Sequence, residues 1–526
     1  MDMRKSSRTS QPRNSAAKRL FARGLTLLFT LEGSACLAEG GPDDPANYRW
    51  QAGAISHAQR MRGYHDPDEG HQQTPAVIPK FSVDSDPSGV IATTQPNGPT
   101  PTAQNAFFGN LGTNNRTCFT CHQPANGWGI SAASVRERFG RSPGADPIFR
   151  LVDGATCPSD NVSTPDLKRN AYSLLINKGL IRIGLPVPAN AQYRIVSVND
   201  PYGCNTNPLT GLTTTGRYNP TAGIVSVYRR PLPSTNLGFI NAIMWDGREP
   251  SLEQQSIDAT LGHAQGAAPP TAAQQQQIVA FETGLLTAQQ FDNEARELNG
   301  AGATGGSDAL IAQLSAFFPG INDPIGQNPR NIPFTSKIFN LYESWKALPK
   351  HGDVTKDRLA VARGEDLFNN THINITGVGG LNDNATIGSP ALIAGFCGTC
   401  HDSPNVGNHS VKLPINIGIA NGGPNNNNPV LDIGDLPVFN VECVSGPLTG
   451  TKYVVTDPGR ALVSGQCIDM GKVKGPILRG LAARAPYFHN GSAATLTDVV
   501  NFYDKRFNIG FTKQQASDLV AFLNTL

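Results

Sequence analysis

The chain has 526 residues and a formal net charge of +2, with 39% hydrophobic and 16% charged residues. That balance offers no basic surface for nucleic acid, and the length suits two or three domains. Gly 55 and Pro 40 are high counts, and beside an apolar fraction large enough for a core they predict long ordered loops rather than disorder.

The N-terminus is basic: Arg4, Lys5, Arg8, Arg13, Lys18, Arg19 and Arg23, with Asp2 the only acid among them. The apolar stretch Leu25-Thr26-Leu27-Leu28-Phe29-Thr30-Leu31 follows, then small residues ending at Ala38. This order predicts a secretory signal over 1–38, cleaved near Ala38. The apolar run is shorter than the ~20 residues that span a bilayer. Cys36 offers a lipid-anchor reading, against which Gly33 stands where such signals use Leu. The expected product has no membrane span and is periplasmic.

Residues 39–105 are rich in Pro, Gly and polar residues and predict an extended arm. Next comes Cys118-Phe119-Thr120-Cys121-His122, and later Cys397-Gly398-Thr399-Cys400-His401. Two cysteines three apart on one helical face bring both sulfurs to one side. They can meet the two vinyl groups of a porphyrin while the adjacent histidine reaches the iron. A thioredoxin-like pair needs a βαβ setting, which the sequence does not show. A zinc site would leave the histidines redundant. The motifs predict two covalent haem c groups. Cys157, Cys204, Cys443 and Cys467 remain, an even number suited to an oxidising compartment. Three pairings are possible, and Cys157 with Cys204 and Cys443 with Cys467 are the sequence-local choice.

Helices are predicted where apolar residues recur at helical spacing. Residues 271–290 carry Ile278, Phe281 and Leu285; Ala362 to Phe368 leads into the second motif. Thr495 with Asp498, and Thr512 with Gln515, read as capping boxes ahead of apolar faces. No alternation is long enough to require a large sheet. The expected fold is mainly α: two cytochrome c-type haem domains packed together, over 106–350 and 351–526, with long loops and insertions.

Further blocks extend the pattern: Met244-Trp245-Asp246-Gly247-Arg248 followed by Ser251-Leu252-Glu253-Gln254-Gln255, and Leu478-Arg479-Gly480 leading to Ala485-Pro486-Tyr487-Phe488-His489-Asn490-Gly491-Ser492. With the two haem motifs, and in this order, they resemble the bacterial di-haem cytochrome c peroxidases, a family that includes MauG-type enzymes. The resemblance implies a periplasmic oxidoreductase that reduces hydrogen peroxide at the N-terminal haem, with His122 as its proximal ligand. Electrons would arrive through the C-terminal haem, ligated by His401, from a small cytochrome, a cupredoxin or a larger oxidisable substrate. Trp245 matches the tryptophan between the haems, and Gln255 a distal-pocket glutamine. Arg479 and His489 would organise the C-terminal haem, through its propionates or from behind the groups that touch it. Arg484 and Pro486 match carbonyl ligands of a calcium ion, although its asparagine is replaced near Arg230.

Two departures bear on function. No histidine lies between His122 and His263. His263 stands where the family keeps a distal acid, and reads as a general acid and base, an iron ligand or a satisfied core histidine. Tyr503 stands where peroxidases supply a methionine, as in MauG-type enzymes. A phenolate there would favour ferric iron, with Met470 the nearby soft rival. That favours a second reading, a MauG-like or oxygenase-like enzyme acting on a larger substrate, or on dioxygen, through high-valent iron. A third is a plain di-haem electron carrier.

Overall fold

The computed structural model describes residues 74–205, 224–422 and 431–526. The predicted signal segment, Cys36 and most of the predicted arm lie outside the described residues. No helix among the described residues is long and apolar enough to cross a membrane.

Helix of every kind accounts for 31% and strand for 17%, spread over several sheets. The expectation of a mainly α fold is therefore wrong, and the protein is mixed α and β. The largest sheet has four antiparallel strands in the order Phe81–Asp86, Gly89–Thr94, Leu286–Asp292 and Arg296–Glu297. Its first two strands come from the segment predicted as an arm. A second sheet runs Lys452–Val455, Val438–Cys443, Tyr193–Asn199, so a strand from the first half of the chain pairs with the second half. A two-stranded ladder joins Ile181–Pro186 to Ile224–Arg229. The predicted helix at 271–290 stops at Thr283, and Leu285 turns the chain into the strand Leu286–Asp292.

Helices hold the motifs where the sequence placed them. Both capping boxes form, at Thr495 for the helix Leu496–Phe507 and at Thr512 for Lys513–Asn524. The helix Asp353–Asn370 crosses Lys513–Asn524 at Gly364, where an added Cβ would lie 2.0 Å from the Asp518 carbonyl oxygen. Close crossing buries Phe339, Phe368, Phe522 and Leu523 beneath the second motif. Phe107, Phe119, Trp128 and Phe281 form the matching floor beneath the first. The cysteines pair as Cys157–Cys204 and Cys443–Cys467, and the four motif cysteines form no disulfide.

Candidate functional site

The two motifs fold identically. Each is a single 3-10 turn, Cys118–Thr120 and Cys397–Thr399, in which positions i and i+3 eclipse and both thiols face one way. A threonine hydroxyl caps each turn: Thr117 N donates to Thr120 Oγ1 at 3.0 Å, and Phe396 N to Thr399 Oγ1 at 2.9 Å. His122 N donates to the Cys118 carbonyl and His401 N to the Cys397 carbonyl, both at 3.1 Å.

The ring nitrogens repeat the pattern. His122 Nδ1 donates to the Trp128 carbonyl at 2.9 Å, and His401 Nδ1 to the Gly407 carbonyl at 2.7 Å. Each acceptor lies six residues beyond its histidine and has a left-handed backbone, φ 55° at Trp128 and 77° at Gly407. Glycine suits that geometry, whereas a tryptophan there is strained. Trp128 is held by its indole, which donates to Thr93 Oγ1 at 2.8 Å. Fixing the proton on Nδ1 leaves Nε2 with a free lone pair, the state a metal ligand needs. Burial reinforces neutrality, lowering His122 to about 4 and lowering His401 as well.

Each turn opens on its own cavity. The first holds 1540 Å³ of empty space, its open mouth included, and is lined by Cys118, Cys121, His122, Trp245, Gln255 and His263. The second holds 1330 Å³ and is lined by Cys397, Cys400, His401, Trp245 and Tyr503. Paired thiols, a neutral imidazole and a largely apolar cup fit haem c in both places. Among the candidates, Trp245 faces both cavities, as does Lys474, which the sequence reading did not single out. The Trp245 indole donates to the Arg230 carbonyl at 2.7 Å, and Lys474 N donates to the Trp245 carbonyl at 2.8 Å.

The cavities differ in chemistry. In the first, Gln255, Ala259 and His263 line one side from the helix Leu252–Gly262 and its C-cap, at the four-residue spacing of one helical face. His263 Nδ1 lies 2.6 Å from Asp153 Oδ2, and its side chain is 36% exposed. Asp153 is buried and also ion-paired with Arg116, whose guanidinium donates to the Pro147 and Ile148 carbonyls. Burial alone would raise the Asp153 pKa, but Arg116 and His263 overcome it and leave the carboxyl below its usual range. Arg116 and Asp153 escaped the sequence reading, since they lie 147 and 110 residues from His263.

The second cavity is nearly free of charge. Tyr503 reaches it from the helix Leu496–Phe507, among Phe488, Phe502 and Phe507. Burial and the neighbouring motif thiols raise its pKa, so the phenol is protonated without a metal. Its hydroxyl makes no hydrogen bond among the described residues. Met470 is buried with Cys443 and Cys467 in a different cluster and does not line this cavity.

Arg479 and His489 line neither cavity. Arg479 is buried and donates from Nη2 to the Gly306 carbonyl at 3.0 Å. His489 is fully buried behind Trp245, ring centroids 6.0 Å apart, with Nε2 3.6 Å from Asp457 Oδ2; burial lowers its pKa to about 4.

The residues at the expected calcium position do not fit an ion. Arg230 lies there, its guanidinium donating to the carbonyls of Lys178 (2.8 Å), Arg484 (2.8 Å) and Ile130. A side-chain cation thus takes up the carbonyls converging there, the Arg484 carbonyl included. The Ala485-Pro486 peptide is cis. Among the described residues, no three His, Cys, Asp or Glu side chains converge as a metal site.

A family model described as RoxA-like, cytochrome c-like matches residues 474–509. The chain is 36% identical over 88 residues to a cytochrome-c peroxidase, IdrP1, of Denitromonas iodatirespirans, covering 15% of this chain and 23% of the relative. It is 36% identical over 99 residues to cytochrome c551 peroxidase of Nitrosomonas europaea, covering 16% and 30%. The matched stretches thus span less than a third of these relatives' length. A solved MauG-like protein associated with microbial copper homeostasis covers 57% of this chain and 76% of its own at 17% identity, with a TM-score of 0.29. Over these short stretches the chain is similar to cytochrome c peroxidases and to a RoxA-like cytochrome c domain, and it carries two Cys-x-x-Cys-His turns built alike.

Proposed function

We propose that the protein is an exported di-haem oxidoreductase that reduces hydrogen peroxide in the N-terminal cavity, with electrons relayed through the C-terminal one. In this reading 106–350 and 351–526 are the two haem domains, with His122 and His401 the proximal ligands. Haem iron would supply the redox chemistry. The observation that carries the reading is the contrast between the cavities: among the described residues, the first contains a second histidine, His263, paired with a carboxylate, and the second does not.

Reduction of peroxide breaks one O–O bond, takes up two electrons and two protons, and yields two waters. With Nδ1 tied to Asp153, His263 has Nε2 free to take a proton from one peroxide oxygen. It can return that proton to the other oxygen as the bond breaks. The Asp153 carboxylate stabilises the imidazolium between those steps. Gln255, on the same helical face, offers an amide to orient the oxygens. In the second cavity, the Tyr503 hydroxyl is the oxygen donor facing the His401 cup. Trp245 forms the shared wall across which oxidising equivalents would pass. The electrons would come from a small cytochrome or cupredoxin.

The test is optical. Peroxide added to the resting ferric holoprotein should change the spectrum of one haem, and replacing Cys118 and Cys121 should abolish that response while leaving the other haem in place. A response surviving that replacement would overturn the assignment.

Tyr503 favours a second reading, a MauG-like enzyme that oxidises a larger substrate, since an oxygen donor disfavours the ferrous state a relay must visit. Potentiometry of the C-terminal haem separates the two.

A further inference from the structure

Lys474 has an unusual position. It lines the first cavity, the second, and a small third one bounded by Asn408 and His409. It is 8% exposed. Its Nζ donates one hydrogen bond, to the Ala242 carbonyl at 2.9 Å, and among the described residues no carboxylate pairs with it. An ammonium has three protons to place.

Neighbouring charges are already committed. Arg229, on the first cavity, is matched by Asp246 and Asp457. Arg230 is spent on backbone carbonyls. Asp402, beyond the third cavity, accepts from Ser410 N at 2.6 Å and lies 3.3 Å from His409. Asp153 serves Arg116 and His263. Glu282, also on the first cavity, has an unpartnered carboxylate oxygen but makes no ion pair with Lys474. A buried charge is retained only with a partner, so this ammonium calls for an anion that no protein group within reach of it provides among the described residues. The group that both large cavities fit, haem c, carries carboxylates on one edge.

We propose that Lys474 is a carboxylate-binding residue shared by both haem sites, its ammonium held between a propionate of one haem and a propionate of the other. This rests on the reading of both cavities as haem sites. Burial alone holds Lys474 down to about 8, and carboxylates on two sides would keep it charged. As a positioning residue it orients both cofactor edges against the Trp245 wall to which its backbone is bonded. It also places one positive charge beside two irons, which favours the ferrous state of each.

The test is spectroelectrochemical titration of the purified holoprotein and of its Lys474→Gln and Lys474→Arg variants. Mass spectrometry first establishes two covalent haems, which checks the underlying reading separately. In Lys474→Gln both haems should shift toward the ferric form by roughly tenfold in the ferric/ferrous ratio, about 59 mV for a one-electron couple. Lys474→Arg keeps the charge and should shift each by less than about threefold. Potentials unchanged in Lys474→Gln, or changed at one haem only, would overturn the proposal. Should Lys474→Gln fail to mature, resonance Raman of the unaltered holoprotein decides. Propionate bending modes of both haems should respond to D2O, and a response at one haem or none overturns it. A shared shift in a protein that does not react with peroxide would leave Lys474 in this role and sink the peroxidase reading alone.

Discussion

The Arg116–Asp153–His263 chain gives the most direct test of peroxide chemistry, through a double-mutant cycle. If His263 moves the proton and Asp153 acts through it, the two substitutions must not multiply. His263→Gln removes the acid and base and should slow the peroxide step by ~10²- to 10⁴-fold. Asp153→Asn leaves the imidazole but removes a hydrogen bond to a charged group, worth ~1.5–3 kcal/mol, or roughly 10- to 150-fold in rate. The double variant should be no slower than His263→Gln alone. Stability should rank the other way. Asp153→Asn strands the buried Arg116 guanidinium and should cost about 3–5 kcal/mol, whereas His263 sits at the open cavity, so its replacement should cost about 1 kcal/mol or less. Stopped-flow mixing with peroxide followed at the Soret band gives the rates, and urea melts give the stabilities. A double variant slower than His263→Gln by the full Asp153→Asn factor would refute the argument, because the carboxylate would then act independently of the imidazole.

Four other perturbations separate the remaining roles. Trp245→Phe keeps an aromatic wall but loses the indole bond to the Arg230 carbonyl; both haems should still attach, and inter-haem transfer after peroxide should slow in stopped-flow spectra. Equal kinetics would reduce Trp245 to packing. Tyr503→Met should raise the potential of the C-terminal haem, since a thioether prefers ferrous iron; a Met–His signature in the unaltered protein would contradict the ligand assignment. Chelation with EGTA should leave the melting temperature and both haem spectra unchanged, because Arg230 occupies the carbonyl cluster. Arg230→Ala, which strands three buried carbonyls, should cost several kcal/mol at ~1–3 for each unsatisfied group.

The sequence carried the local signals well and the long-range ones poorly. The two Cys-x-x-Cys-His turns were legible because five adjacent residues define each, and the capping boxes at Thr495 and Thr512 were legible for the same reason. The sheets were not. Ile224–Arg229 is buried along its whole length, so no alternation marks it. Leu286–Asp292 buries Gln289 and Gln290, polar residues that hide its periodicity, and it follows a helix with no proline between. Without those strands the chain reads as helical. Asp153 was invisible because its two partners are 37 residues before it and 110 after it. Arg479 and His489 were assigned to the C-terminal cofactor from a resemblance; neither lines a cavity, and His489 packs behind the Trp245 wall. Disulfide pairing needed geometry, which chose the two sequence-local bridges.

The cysteines set this chain a sorting problem during its own manufacture. Cys157 with Cys204, and Cys443 with Cys467, are bridged, while Cys118, Cys121, Cys397 and Cys400 would have to stay reduced until each pair met its porphyrin if both motifs hold haem c as proposed. In an exporting cell both demands fall on one compartment, on one polypeptide, within the same interval after translocation. An oxidase that closes the bridges can also close the Cys-x-x-Cys pairs, each already presented on an ordered 3-10 turn, and a closed pair cannot capture a vinyl group. For the exported di-haem protein proposed above, yield would therefore depend on the host's supply of periplasmic reductant relative to its disulfide machinery. A strain that secretes disulfide proteins efficiently is not, for that reason alone, a good producer of this one.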